Sequence, residues 1–231
     1  MSLSAQQLAA QKNLSWVLAE KLARQIFQGE YAPGSILPGE IELCEQFSVS
    51  RTAVREAVKT LAAKGMLLPR PRIGTRVMPQ SNWNFLDQEL LSWWLSVENF
   101  NDIVDSFLVL RHALEPQACA LAAANASQDQ KNELNKIMVQ MHELARHFDR
   151  EAWVENDMAF HEQIYTMSNN PFLSSFANLL RSIYYSYFSS ITHNEVIKLD
   201  LHQQVVDAIM QGKSKAAQKA CEALLNAPIP S

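Results

Sequence analysis

The sequence predicts a mainly α-helical protein in two parts, an N-terminal winged helix-turn-helix and a C-terminal all-α bundle of about six helices. Three observations carry this expectation. Residues 48–77 read as the second half of a helix-turn-helix followed by a β-wing. Seven Lys/Arg between positions 51 and 80 face a single carboxylate, Glu56. From Asp102 to Asn226 the apolar residues recur with a period near 3.6 and show no strand alternation. At 231 residues, 48% hydrophobic and 19% charged, the chain has the length and composition of a two-domain globular protein.

Each element follows from local signals. Residues 1–12 are expected as a flexible tail. Leu14, Val17, Leu18, Leu22 and Ile26 mark a first amphipathic helix over 14–28, stopped by Gly29 and by Pro33-Gly34. A second helix opens within Leu37–Cys44 and ends near Phe47. The polar turn Ser48-Val49-Ser50 leads to a third, running from Arg51 to Gly65, with Ser50 placed to accept from its free N–H groups and Gly65 suited to its C-terminus. Val54, Val58 and Leu61 form that helix's buried stripe, which leaves Arg51, Thr52, Arg55 and Lys59 on its exposed face. Met66-Leu67-Leu68 and Thr75-Arg76-Val77 are expected as two short strands about a turn at Arg72-Ile73-Gly74, completing a DNA-binding domain over 1–78. Residues 79–101, with Trp83, Phe85, Leu90, Leu91, Trp93 and Trp94, are too apolar for a floppy tether and predict a helical linker. Helices near 102–125, 128–147, 149–168, 171–191, 195–211 and 213–226 then make up an all-α domain over 102–231.

Charge is distributed unevenly. Residues 1–80 hold ten Lys/Arg and six Glu, whereas residues 81–231 hold ten Lys/Arg against eighteen Asp/Glu. A net charge of −4 thus conceals a basic end aimed at phosphate. No apolar run approaches the roughly 20 residues of a membrane span, and the first residues lack a basic region leading into an apolar one, so a cytoplasmic protein with no membrane partner is expected. Cys44, Cys119 and Cys221 are odd in number and widely spaced, which favours reduced thiols over a disulfide frame. Nucleophile-elbow, P-loop and dinucleotide motifs are absent from the sequence, and catalysis is not expected.

Leu37-Pro38-x-Glu40-x-Glu42-Leu43, then Val49-Ser50-Arg51-Thr52-x-Val54-Arg55-Glu56-Ala57, then Leu61-x-x-x-Gly65 and a wing with Gly74 and Val77 resemble the DNA-binding domain of the GntR superfamily of bacterial transcription regulators. The second part resembles the helical ligand-binding module of the FadR-type, or FCD, branch, through Arg111-x-x-x-Glu115, Asp157-x-x-x-His161, Asn170-Pro171 and His202 followed by Val205, Ala208 and Ile209. The linker around Trp83-Asn84-x-Leu86-Asp87 is further similar to regulators of sugar-acid catabolism, the galactonate-operon repressors of enteric bacteria.

The resemblance implies that Arg51 and Arg55 contact DNA, with Thr52 and Lys59 beside them and the wing at Arg72 and Gly74 reaching the minor groove. Arg can grip guanine O6 and N7, or a phosphate, with its planar fork. An Arg that the family places after the motif's Glu is Ile41 here, so one phosphate contact is expected to be missing. In the helical part, Asp157 and His161 share one helix face at i, i+4, about 6 Å apart at Cβ. Without the resemblance that pair reads as a surface pair. With it, Asp157, His161 and His202 are implied ligands of a divalent metal ion such as zinc. The family's fourth ligand, a His, falls on Leu224, with Cys221 one turn earlier as an alternative. Arg111 reads either as a salt-bridge partner of Glu115 or, by resemblance, as a residue that binds an effector carboxylate. Asn170 reads as a helix-start residue or as part of the effector pocket. His112, His142, His147 and His193 read as surface or structural, and Tyr184, Tyr185, Tyr187 and Phe188 as core and pocket wall.

The expected function is a homodimeric repressor of a sugar-acid (aldonate or uronate) operon, bound to a palindromic operator and released by a small carboxylate. A metal-dependent hydrolase with an accessory basic domain and an effector-independent architectural DNA-binding protein are the alternatives.

Overall fold

The computed structural model describes residues 5–95, 100–192 and 196–228, and the chain divides into two compact units, residues 1–100 and 101–231. In the first unit α1 (Ala5–Phe27) packs on α3 (Arg51–Ala63), with α2 (Glu40–Phe47) before it and a hairpin of β1 (Leu67–Arg70) and β2 (Gly74–Val77) after it. Helix α1 begins at Ala5, ahead of the expected start at Leu14. The segment expected as a tail is instead rich in Ala, Gln and Leu, with no Gly or Pro to stop a helix. The turn between α2 and α3 is built by Ser48 in the left-handed region (φ 54°), and the Ser50 hydroxyl accepts from the Ala53 N–H at 3.2 Å.

One apolar core joins these pieces. Leu18, Leu22 and Ile26 of α1 meet Val54, Ala57 and Leu61 of α3, with Leu43 of α2 and Leu67 and Val77 of the wing. The wing strands pair antiparallel in the register Leu67 with Val77 and Arg70 with Gly74. Residues 34–37 line its edge, where the Leu37 N–H donates to the Thr75 carbonyl at 2.8 Å and the Val77 N–H to the Ser35 carbonyl at 2.9 Å.

The apolar segment expected as a linker over 79–101 contains a short 3₁₀ turn (Gln80–Asn82) and α4 (Gln88–Leu95). Leu90 and Trp93, three apart on α4, enter the same core, so this helix is an integral part of the first unit. Polar ties reinforce it. The buried Lys64 ammonium lies 2.6 Å from Asp87 Oδ1 and 2.8 Å from Glu89 Oε2, and the Trp16 indole donates to Glu89 Oε1 at 2.9 Å.

Among the described residues the second unit holds six helices: α5 (Phe100–Asn125), α6 (Gln128–Arg146), α7 (Arg150–Met167), α8 (Pro171–Ile191), α9 (Leu199–Met210) and α10 (Ser214–Asn226). Their starts are written locally. Ser127, Asp149 and Asn170 each cap the following helix with a side-chain oxygen, and Pro171 supplies the fixed φ of a first turn. Helix α9 starts later than residue 195, with Lys198 in the left-handed region at its N-terminus. The central helix is α7, which packs against α6 and α8 and buries Trp153, Val154, Phe160, Ile164 and Tyr165 on several faces. Each such large side chain contributes on the order of 1.5–3 kcal/mol by leaving water.

Gly65 is the most constrained glycine of the first unit. Its φ is +78°, and a Cβ there would lie 2.1 Å from the Asn82 carbonyl oxygen. Gly65→Ala is therefore expected to destabilise the first unit by at least about 1–3 kcal/mol, since backbone must shift and a left-handed residue is strained. Urea unfolding followed by tryptophan fluorescence checks this, and an unchanged midpoint would show that the close approach is not tight.

Candidate functional site

On the first unit, burial of Ala53, Val54, Ala57 and Leu61 leaves Arg51, Thr52, Arg55 and Lys59 on the open face of α3. Arg55 Nε donates to Glu40 Oε2 at 2.7 Å, and Arg51 Nε stands 3.9 Å from Glu40 Oε1. Glu40, at the first position of α2, is a contribution that the sequence reading did not identify: it holds the side chains of two α3 arginines from across the turn. Lys59 pairs with Glu56 on its own helix at 2.7 Å. The wing tip is exposed. Arg72 occupies the left-handed region (φ 65°), and Gly74 (φ 109°) passes so near Ile36 that a Cβ would meet its Cγ2 at 2.7 Å. Arg70 and Arg76, both exposed, add charge to this hairpin that was not singled out from the sequence. Ile41 is exposed beside Glu40, where a cation would have faced solvent.

In the second unit the structure brings Arg111 of α5, Asp157 and His161 of α7, and His202 of α9 to one place. All four are buried. They line a cavity of about 290 Å³, together with Leu108, His112, Tyr187, Phe188, Lys198 and Leu224. Asp157, His161 and His202 each offer a ligand atom, and these atoms lie within 4.8 Å of one another.

His202 Nδ1 faces the Lys198 carbonyl at 2.9 Å; a carbonyl only accepts, so Nδ1 carries a proton and Nε2 is the atom turned to the cavity. That Nε2 is 2.8 Å from Asp157 Oδ1, so a proton on Nε2 or a cation between the two has to join them. An Asp oxygen and two imidazole nitrogens form a donor set that fits zinc or another divalent ion. Burial would raise the Asp157 carboxyl, but His202 foremost, then His161 and Arg111, hold it below the usual carboxylate range. Burial pushes the His161 imidazole down, toward its neutral form.

Arg111 is more than a surface salt-bridge partner. Its Nε donates to Glu115 Oε1 at 2.7 Å, and its Nη2 lies against the His161 ring, 2.7 Å from Nε2 and 3.4 Å from Nδ1. The guanidinium lies over the Tyr184 and Phe188 rings, 4.6 and 5.2 Å from their centroids. Burial opposes its charge, yet Glu115, Tyr184 and Asp157 together more than offset this and raise its pKa. Glu115 is the hub that the sequence presented only as an i+4 partner. It meets Arg111, lies 3.0 Å from His161 Nδ1 and accepts from the Tyr184 hydroxyl; burial would raise its pKa, but Arg111 and His161 bring it down to about 2.

Other expectations resolve differently. Asn170 lies outside this cavity, and its Oδ1 accepts from the Phe172 and Leu173 N–H groups at 3.0 and 3.3 Å, the cap that an Asn before Pro most readily makes. Cys221 is not among the cavity residues; its buried thiol is pushed up by a hydrogen bond with Cys119 and by burial. The three cysteines are free. Leu224 puts an aliphatic side chain where the family's fourth ligand was expected. His112 lines the cavity, His142 pairs with Gln203 at 2.8 Å, and His193 lies outside the described residues. Lys198 was missed, because nothing in its local sequence marks a left-handed residue whose carbonyl orients a histidine. Among the described residues no helix is long and apolar enough to cross a membrane.

Comparison with known proteins agrees with this architecture. Residues 14–77 match the model of the gntR family of bacterial regulatory proteins, and residues 106–227 match the FCD domain. The HTH-type transcriptional regulator YieP of Escherichia coli K12 is 68% identical over 228 residues, 99% of each chain. The galactonate operon transcriptional repressor of the same organism is 31% identical over 203 residues, covering 86% of this chain and 88% of that one. Among solved structures, a GntR protein of Streptococcus agalactiae superposes with a TM-score of 0.52 at 25% identity, covering 91% of this chain and 97% of the other. These relatives are regulators and not enzymes. With both modules matched in order and so near a relative along the whole length, the chain belongs to the gntR family of bacterial regulatory proteins, in the branch with an FCD domain, and is a transcription regulator.

Proposed function

We propose that this regulator is a cytoplasmic repressor of a sugar-acid catabolic operon, a homodimer on a palindromic operator that lets go when a small carboxylate occupies the helical unit. The observation that carries the reading is the cavity itself. A buried guanidinium suited to a carboxylate stands beside an Asp/His/His set suited to an ion, in about 290 Å³, space for a compact polar acid and not for a long acyl chain. Similarity to a galactonate operon repressor over most of both chains supports the same class.

In this reading Asp157, His161 and His202 hold a divalent metal ion, and Arg111 takes the effector carboxylate. The bound ion would supply a Lewis-acidic point for the acid's own oxygens, which complete a shell that Leu224 leaves open. On the DNA side, Arg51 and Arg55 read the major groove from α3, with Thr52 and Lys59 beside them and Arg72 and Gly74 of the wing at the minor groove. Two copies are needed because one recognition helix reads few bases, and two-fold symmetry matches a palindrome.

Arg55→Ala is expected to keep the fold, since the side chain is exposed, and to weaken operator binding by roughly 10-fold or more, the worth of one good bidentate contact of about 1–3 kcal/mol. Fluorescence anisotropy on the chain's own upstream DNA, with circular dichroism as the folding control, measures it. Unchanged affinity would show that α3 faces elsewhere. For the effector, D-galactonate is expected to lower operator affinity in the parent, and the effect should shrink at least about tenfold with chelator or in His161→Ala. Calorimetry and gel shift read both. Equal response in all three samples would remove the metal from effector recognition.

A further inference from the structure

The charged groups around the cavity are not all matched by charges of opposite sign. Arg111 is balanced by Glu115 at 2.7 Å, and Asp157 is faced by His202 at 2.8 Å. Lys198 also lines the cavity, and its situation differs. Its ammonium donates to the Leu224 carbonyl at 3.1 Å, an uncharged acceptor, and among the described residues no carboxylate pairs with it. The sequence explains why that carbonyl is available. At the end of α10 the Ala223 carbonyl still receives the Ala227 N–H at 3.0 Å, but the next donor in the helical pattern would come from Pro228, which has no N–H. Lys198 thus stands at the cavity wall as a half-buried cation on a neutral partner, and such a group gains by meeting an anion.

We infer that Lys198 is the second anchor of the effector: its ammonium leaves the Leu224 carbonyl for the effector's carboxylate, which it holds together with Arg111. The inference rests on the acid-binding reading proposed above and names the residue that gives that site its uncompensated charge. A carboxylate has two oxygens, each able to accept more than one hydrogen bond, so a guanidinium and an ammonium can share it. The two cations contribute unequally. Arg111 supplies direction, but Glu115 already balances its charge, whereas the charge of Lys198 is not balanced in this way. The exchange is favourable because a neutral acceptor is given up for an ionised one. The movement required is confined to a flexible four-carbon stem. The backbone of Lys198 keeps its left-handed conformation, with its carbonyl on His202 Nδ1 at 2.9 Å. One residue thereby meets the acid with its side chain and orients His202 with its main chain.

Calorimetric titration of D-galactonate into the full-length protein, with zinc present, tests this. Lys198→Met keeps the apolar stem and the main-chain carbonyl on His202 but removes the charge. It should bind D-galactonate roughly 10- to 100-fold more weakly than the parent, the size of one charge-assisted hydrogen bond. Lys198→Arg returns a cation at similar reach and should recover most of that loss; equal loss in both variants overturns the inference, since charge is then not what the acid meets. A role limited to capping α10 gives a different pattern, a lower melting temperature with D-galactonate affinity unchanged in Lys198→Met. That result also overturns the inference and leaves the acid-binding reading of the cavity standing. Absence of D-galactonate binding to the parent overturns both. Should Lys198→Met not fold, Lys198→Gln, which keeps a donor for the Leu224 carbonyl, takes its place with the same expectation.

Discussion

The interior of the helical unit is organised by the need to neutralise buried charge. Arg111, Glu115, Asp157, His161 and His202 are each almost wholly removed from water, a situation that costs several kcal/mol per unpaired ion. Glu115 meets this cost for one half of the cluster. It accepts from Arg111 and from the Tyr184 hydroxyl and faces His161, so a positive and a negative charge cancel within one turn of α5. The other half, Asp157 with His202, is not closed in the same manner. There Asp157 Oδ1 and His202 Nε2 face one another at 2.8 Å, a pair joined by a proton or by a cation, and the metal reading of the site rests on that pair.

The fold makes this arrangement possible by surrounding α7. Because α7 buries Trp153, Phe160, Ile164 and Tyr165 along its length, residues on its remaining face at Asp157 and His161 are sealed by neighbours instead of being solvated. Phe160 packs edge-on to the His202 ring at 4.9 Å, and His161 stacks toward Phe188, which together with the Lys198 carbonyl fixes how both imidazoles point. Orientation of this kind by surrounding groups is what converts three scattered residues into a ligand set.

In the first unit an analogous division separates core from surface. The α3 stripe that packs on α1 leaves the opposite face to the arginines, and Glu40 restrains Arg55 and Arg51 from the start of α2. A side chain held in this way loses less freedom on meeting a partner than a free one. The pair is exposed, so its contribution to stability is small. The packing of α4 on this same core shows why residues 79–101 are so apolar: Leu90 and Trp93 are core residues of the first unit.

Much of this was legible in the chain because it depends on neighbours in sequence. Most helix positions, the Ser50 and Asn170 caps, the wing turn and the basic face of α3 follow from periodicity, capping chemistry and charge within a few residues. Asp157, His161 and His202 could be named, through spacing and family resemblance, but not shown to meet. That Glu115 serves three groups, that Lys198 turns left-handed and orients His202, that Cys221 faces Cys119, and that Arg111 lies against the His161 ring were decided by tertiary packing alone. The physical reason is that a side chain's partners across a bundle are set by how helices far apart in sequence interlock, and no local pattern records which groups meet there.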